Sequence, residues 1–265
     1  MNDAWMLDTH VFAFSPAFVR ESGLPARLDG TFDTLVEDMD RARVKRAIAT
    51  LFVTANDDLF ESVAAGLGRH SGRLAAQLNI PVTRPQWAAS NLLAAKHDSR
   101  IAGARVAPSL FKVQPVDGSL EQVWQACEAA RLPVQVVVDG SRFCEPRTLA
   151  ILARERPELT LVLSLSSARH RAGLPALAKF PRVFFQLPAL LDGEIKAKRP
   201  ALMRWAVRHL PAERLMFGSD RLGREASYFA KVGALLEVPP GVRRQLARET
   251  ALEVYGSRLP AWRGP

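Results

Sequence analysis

Cysteine is scarce in this chain of 265 residues: there are two, Cys127 and Cys144. Two cysteines make neither a disulfide framework nor the paired spacing of a zinc knuckle. Cys127 lies in LEQVWQACEAARL, where Leu120, Val123, Trp124 and Cys127 recur at helical spacing, so it reads as a small core residue. Cys144 opens a later helix after a loop, and nothing beside it in sequence activates it. Long apolar runs are missing as well; none reaches the roughly 18 to 20 residues that span a membrane. The chain does not open with a basic segment followed by an apolar one, as a secretory signal does. These absences point to a cytoplasmic protein with no membrane partner. Helix-turn-helix, zinc-finger and RNP-like patterns are also absent.

What is present is globular: 48% of residues are hydrophobic and 24% charged, enough for a core of ordinary size at this length. Lys and Arg number 36 against 27 Asp and Glu, a formal charge of +9. That balance raises nucleic acid as a partner. The basic residues, however, are spread across most predicted helices rather than gathered in one tract, so no nucleic-acid partner is expected. A small anionic molecule is a better use for the charge.

Apolar runs alternate with amphipathic ones along the whole chain. The strand candidates are AWMLDTHVF (4–12), RAIATLFV (46–53), LAAQLNI (74–80), IAGARVAP (101–108), PVQVVVD (133–139), LTLVLSLS (159–166), RVFFQLPAL (182–190) and RLMFGSD (214–220). Helical patterns lie between them. TFDTLVEDMDRARV (31–44) puts Phe32, Leu35, Val36 and Met39 on one face, with Thr31 as N-cap. NDDLFESVAAGLGRH begins at Asn56 with acidic residues in its first turn. QWAASNLLAAKH, LEQVWQACEAAR, EPRTLAILARER, GLPALAKF, PALMRWAVRHLP and YFAKVGALLEV continue the series, and PPGVRRQLARETALEVYG closes it. Strand then helix, eight times over, predicts an α/β fold of the (β/α)8 TIM-barrel type. A doubly wound open sheet is the alternative, but no G-x-G-x-x-G follows the first strand. No interior linker divides the chain, so residues 1–265 read as one domain.

In such a barrel the strand C-termini carry the site and the helices run back to the other end. His70, His97 and His209 each end a predicted helix, where an imidazole complements the helix dipole, and they read as structural. His10 ends the first strand, and His170 follows the sixth in SLSSARHR. The last strand ends in FGSD, and closure of the barrel sets Asp220 beside His10. A base with a hydrogen-bonding carboxylate can run general acid–base chemistry.

Several motifs together resemble the amidohydrolase-related family of (β/α)8 barrels. They are Asp8-Thr9-His10 on strand 1, GARVAP (103–108) on strand 4, LPVQVVVD (132–139) on strand 5, PELTLVLSLSS (157–167) on strand 6 and FGSD on strand 8. RETALEVYG resembles the family's final helix, with Thr250 where an Asn is usual. The resemblance covers nearly the whole chain. It implies a zinc-like divalent metal held by a His-x-His on strand 1, a His on strand 5, a His on strand 6 and the Asp on strand 8, with water activated for attack on an amide, ester or C–C substrate. Here only His10 and Asp220 match. Phe12, Val137 and Ser164 (or Ser166, one step on) stand at the other positions. No tightly bound metal or other cofactor is therefore expected; a zinc-like ion is expected only if this mapping is wrong. The outer helices of the family often pair, which leaves a homo-oligomer open.

Strand alternation predicts which side chains share the mouth. If His10 faces in, so do Asp8 and Phe12. Arg105 should face in on strand 4. Gln135, Val137 and Asp139 share a face on strand 5, and Ser164 and Ser166 on strand 6. Asn79 ends strand 3, and Arg221 and Arg224 follow Asp220. Catalysis is thus assigned to His10 and Asp220, and substrate binding to Arg105, Asn79, Asp139, Ser164, Ser166 and Arg221. The guanidinium groups suit a small carboxylate or phosphate; an ion pair between Arg105 and Asp139 is the structural alternative. Three functions follow. One is a hydrolase or lyase in which His10 and Asp220 activate water on an ester, lactone or amide bearing an anionic group. Another is a non-catalytic relative, a ligand-binding protein or partner subunit, with the mouth plugged by Phe12, Phe14 and Phe18. The third is nucleophilic catalysis by Ser166 or Ser167 with His170, although no G-x-S-x-G elbow is present.

Overall fold

The computed structural model describes residues 5–14, 31–52, 59–188, 201–221 and 227–259. Eight strands, β1 (Met6–Phe14), β2 (Val44–Phe52), β3 (Leu74–Asn79), β4 (Ile101–Val106), β5 (Val134–Val138), β6 (Leu161–Leu165), β7 (Val183–Leu187) and β8 (Leu215–Phe217), form one sheet in sequence order. Every pairing is parallel. The chain beyond β8 returns to β1. Phe12 N–H donates to the Arg221 carbonyl at 2.8 Å and Asp220 N–H to the His10 carbonyl at 3.0 Å. The result is the (β/α)8 barrel that the alternation of patterns predicts.

The helices are α1 (Phe32–Ala42), α2 (Leu59–Leu67), α3 (Pro85–Ala94), α4 (Glu121–Ala130), α5 (Pro146–Glu155), α6 (Ala201–His209) and α7 (Ser227–Ala234), followed by a closing helix over residues 240–255. Thr31 caps α1 as its sequence predicts, its side chain accepting from Thr34 N–H, and Phe32, Leu35 and Met39 are buried on one face. One expected helix is not α-helical. GLPALAKF forms 3-10 turns, Arg171–Gly173 and Pro175–Lys179. Gly173 and Pro175 interrupt a short run, and proline cannot donate to a preceding turn. Asn56, Phe18, Arg224 and the ends of the second and seventh strand candidates lie outside the described residues.

The inside of the barrel is layered. Its base is apolar: Leu7, Ile48, Ala75, Ala102, Val162, Phe184 and Met216 meet Ala251 and Tyr255 of the closing helix. Gly103 is required there, because a Cβ would stand 2.7 Å from the Pro133 carbonyl. Above the base lies a polar belt. Thr50 donates to Gln77 Oε1 at 3.0 Å, and Gln77 Nε2 to the Ala104 carbonyl at 3.1 Å. Gln135 donates to Gln186, whose Nε2 donates to Thr9 Oγ1 at 2.7 Å, and Thr9 donates to the Phe217 carbonyl at 2.5 Å. Most buried polar groups in folded proteins are paired in this way. The belt is the floor on which the mouth stands. Among the described residues no helix is long and apolar enough to cross a membrane.

Candidate active site at the strand C-termini

A register shift between Asp8 and Val11 breaks the alternation of β1. Thr9 faces the polar belt, yet His10 and Phe12 also face the mouth, where their rings meet edge-on at 4.6 Å. An inserted residue in a strand re-aims side chains in this manner. Asp8 therefore does not join His10 in the mouth, which corrects the expectation from strict alternation. Instead Asp8 Oδ1 accepts from Ser219 N–H at 2.9 Å and His10 N–H at 3.2 Å. It clasps β1 to the segment after β8. Burial, against the hydrogen bonds from Ser219 and His10, pushes its carboxyl up to about 6.

That clasp brings His10 and Asp220 together. The His10 Nδ1 and Asp220 Oδ1 are hydrogen-bonded. Asp220 sits at φ 53°, a left-handed conformation that aspartate tolerates better than most residues. The His10 side chain is 2% exposed and that of Asp220 25%, so the pair opens outward through the carboxylate. Burial lowers the His10 pKa; Asp220 opposes this, while Arg105 and Lys231 reinforce it. Burial also acts against ionised Asp220, but His10, Lys231 and Arg105 together hold its pKa below the ordinary value. Near neutral pH the pair is thus a neutral imidazole beside a carboxylate. The hydrogen bond assigns the imidazole proton to Nδ1. Nε2 keeps its lone pair, buried and with no protein hydrogen-bond partner among the described residues.

Arg105 enters from β4, in register with Asn79 on β3 and Gln135 on β5. Its Nη1 donates to Asn79 Oδ1 at 2.9 Å, and its guanidinium lies 5.3 Å from the centre of the Phe12 ring. Arg105 is buried, and its Nε has no partner among the described residues. Phe52 packs against Phe12 and Phe14, with centroids 5.5 and 5.6 Å apart, and gives the mouth an aromatic wall.

The remaining expected residues divide. Ser164 is buried, paired in register with Val137 and Gln186. Ser166 is exposed at the rim, its hydroxyl 3.4 Å from the Val138 carbonyl. Asp139 is exposed just beyond β5, accepting from Ser141 N–H at 3.0 Å in a turn that Gly140 completes at φ 80°. No ion pair joins it to Arg105 among the described residues. Arg221 corrects an expectation. It is fully buried on the far side of β1, with Nη2 2.5 Å and Nε 3.1 Å from Asp38 Oδ2 on α1. It belongs to the barrel wall, not the mouth. His170 Nε2 meets the Ser141 carbonyl at 3.2 Å, and Ser167 Oγ accepts from Arg169 N–H at 3.1 Å, so no serine–histidine pair forms. Cys144 is buried, and burial pushes its thiol up to about 12.

Sequence reading missed the polar belt, Phe52 and the role of Asp8. The belt had a signal: one glutamine inside each of three largely apolar strands, LAAQLN, VQVVV and VFFQL. The donor set bears on a divalent metal. His10 Nε2 and the Asp220 carboxylate are suitable donors, but Phe12, Val137 and Ser164 supply no imidazole. Among the described residues no group of three or more His, Cys, Asp or Glu is placed to hold an ion. A catalytic zinc-like ion takes at least three protein ligands, so these residues do not fit one.

Among solved structures, 5-carboxyvanillate decarboxylase from Novosphingobium aromaticivorans, complexed with manganese and a nitrobenzoic acid, is similar at TM-score 0.67 and 11% identity, covering 96% of each chain. A probable 2-pyrone-4,6-dicarboxylic acid hydrolase from Acinetobacter baumannii, with citric acid bound, is similar at TM-score 0.68 and 13% identity, over 96% of this chain and 100% of that one. 2,6-Dihydroxybenzoate decarboxylase from Rhizobium is similar at TM-score 0.66 and 14% identity, over 95% and 98%. At such identities these likenesses show a shared fold. A comparison with curated proteins returns no match. The amidohydrolase family model matches residues 9–257, from the strand that carries His10 to the end of the closing helix, and the chain belongs to the amidohydrolase family.

Proposed function

We propose that this protein is an amidohydrolase-family enzyme that hydrolyses an ester, lactone or amide in a small, carboxylate-bearing substrate without a tightly bound metal. The observation that carries this is the His10–Asp220 pair, whose remaining ring nitrogen, Nε2, is buried and without a partner among the described residues. In that arrangement Nε2 takes a proton from water, and Asp220 stabilises the imidazolium that forms. The hydroxide adds to the substrate carbonyl, the bond to the leaving oxygen or nitrogen breaks, and the proton passes from His10 to the leaving group. Arg105, held by Asn79 and Phe12, receives the substrate carboxylate. Val137 and the exposed Ser166 line the rim.

Decarboxylation is the second reading. It is favoured by the similar structures of two aryl-carboxylate decarboxylases. There His10 Nε2 takes up a proton from solvent water and delivers it to the ring carbon, the bond between that carbon and the carboxylate breaks, carbon dioxide leaves, and hydroxide remains in solvent.

The test is a panel of carboxylated lactones, esters and aryl carboxylates, followed for acid release and for carbon dioxide. Turnover of at least one substrate is expected, falling about 100-fold or more in Asp220→Asn and His10→Gln. Acid without carbon dioxide selects hydrolysis, and carbon dioxide selects the second reading. No turnover of any, or turnover indifferent to both substitutions, overturns both.

A further inference from the structure

The family's metal would place a positive charge beside Asp220. In this chain a positive charge is already built in. Phe12 touches both halves of the arrangement: the His10 ring at 4.6 Å on one side and the Arg105 guanidinium at 5.3 Å on the other. Asn79 fixes the guanidinium through Nη1. The Nε of Arg105 and the Nε2 of His10 are both buried without partners among the described residues, one a fixed donor and one an acceptor. Phe12 itself stands where the second strand-1 imidazole would have to be. One substitution thus removes a metal donor and supplies the aromatic face on which a guanidinium rests.

We propose that Arg105, stacked on Phe12 and pinned by Asn79, takes the electrostatic place of the divalent metal, so that the site holds a substrate carboxylate directly on a cation of the chain and rejects free divalent ions. This rests on the functional reading above and deepens it. A guanidinium offers a planar fork to a carboxylate and carries its charge at all relevant pH values. It cannot ionise a bound water as a metal does, which leaves water activation to His10. A second cation in the same space would meet the Arg105 charge and, among the described residues, find no group of three His, Cys, Asp or Glu to hold it.

The test uses purified full-length protein, with benzoate as the carboxylate probe and Zn²⁺ and Mn²⁺ as the metals. Benzoate binding is measured by calorimetry with and without Zn²⁺, and metal content by mass spectrometry after dialysis against each ion. The expected result is benzoate affinity indifferent to Zn²⁺ and little metal retained. Arg105→Met should weaken benzoate roughly 10- to 100-fold, with Arg105→Lys in between. Near-stoichiometric metal in the wild type, benzoate affinity that rises with Zn²⁺, or Arg105→Met binding benzoate as the wild type does would each overturn the proposal. The wild-type titrations decide it even if Arg105→Met does not fold. None of these readings depends on turnover, so failure here is distinct from failure of the substrate panel.

Discussion

Nδ1 of His10 is hydrogen-bonded to Oδ1 of Asp220 across 210 positions of sequence. The contact exists because the barrel closes. Asp220 N–H reaches the His10 carbonyl, Phe12 N–H reaches the Arg221 carbonyl, and Asp8 accepts from the backbone on both sides of the seam. The His10–Asp220 pair is thus set in a cross-bonded seam of the wall, where small displacements are resisted. Groups intended to hold a proton at a fixed point gain from that rigidity.

The pH profile of turnover should show an acid limb below the ordinary imidazole range. Burial lowers the His10 pKa, Asp220 opposes it, and Arg105 and Lys231 reinforce it. The neutral ring therefore persists to lower pH than an ordinary imidazole does. Asp220→Asn removes the opposing charge, so the limb should move to still lower pH while the plateau falls. The same shift bears on stability. A depressed imidazole pKa contributes stability that is complete above the unfolded value and lost as pH falls through the folded one. A limb at or above the ordinary value, or one that rises in Asp220→Asn, sinks this account.

Asp8→Asn should stabilise the protein at alkaline pH. Asp8 is fully buried, its Oδ2 has no partner among the described residues, and its carboxyl is pushed up to about 6 from 3.8. A raised carboxyl pKa means the folded state prefers the proton, so stability is lost as pH rises from the unfolded value through the folded one, and the loss is complete above it. The shift corresponds to about 3 kcal/mol above pH 7. Asparagine keeps the acceptor for Ser219 and His10 N–H without the charge. Thermal melts should show a gain of about 1 to 3 kcal/mol at pH 8 that shrinks toward pH 5. An equal or larger gain at pH 5 would contradict it.

The fold was legible because its signals are long-range and redundant. Eight apolar strands and the helices between them need no single residue to be read correctly, and Thr31 capped its helix on local chemistry alone. His10 and Asp220 were also legible, since closure places the ends of β1 and β8 together whatever the side chains. What failed depended on one-residue displacements. The irregularity after Asp8 inverts the facing of β1, and period-two reasoning has no warning of it. Arg221, one residue past Asp220, turns to the helix layer because Asp38 waits there, a partner 183 positions away. Asp139 spends its carboxylate on a local turn, a competition that spacing does not reveal.

Gly218→Ala should disturb the site from below. A Cβ at 218 would stand 2.6 Å from Gln186 Cδ and 2.8 Å from its Nε2. Gln186 links Gln135 to Thr9, the residue before His10. Displacing it breaks paired groups in a buried belt, at roughly 1 to 3 kcal/mol each. The expected outcome is a melting temperature lower by several degrees together with reduced turnover. Gly72→Ala is the control, since a Cβ there meets nothing within 4 Å.

Breaking the Arg221–Asp38 pair should be more damaging than replacing it. Arg221 is fully buried, with two nitrogens on Asp38 Oδ2 and its guanidinium 5.9 Å from the Tyr228 ring. Asp38→Ala leaves that cation buried and uncompensated, a loss on the order of 3 to 5 kcal/mol. Removing both charges in Asp38→Leu with Arg221→Met restores an apolar contact and should recover most of that loss. The backbone of Arg221 accepts from Phe12 N–H, so the single substitution loosens the seam that positions Asp220 as well. A double-mutant cycle on unfolding free energy, run beside turnover, separates the two effects. Strong positive coupling in stability is expected, with turnover following the seam. Additive losses would mean that the pair contributes no mutual stabilisation to the barrel wall.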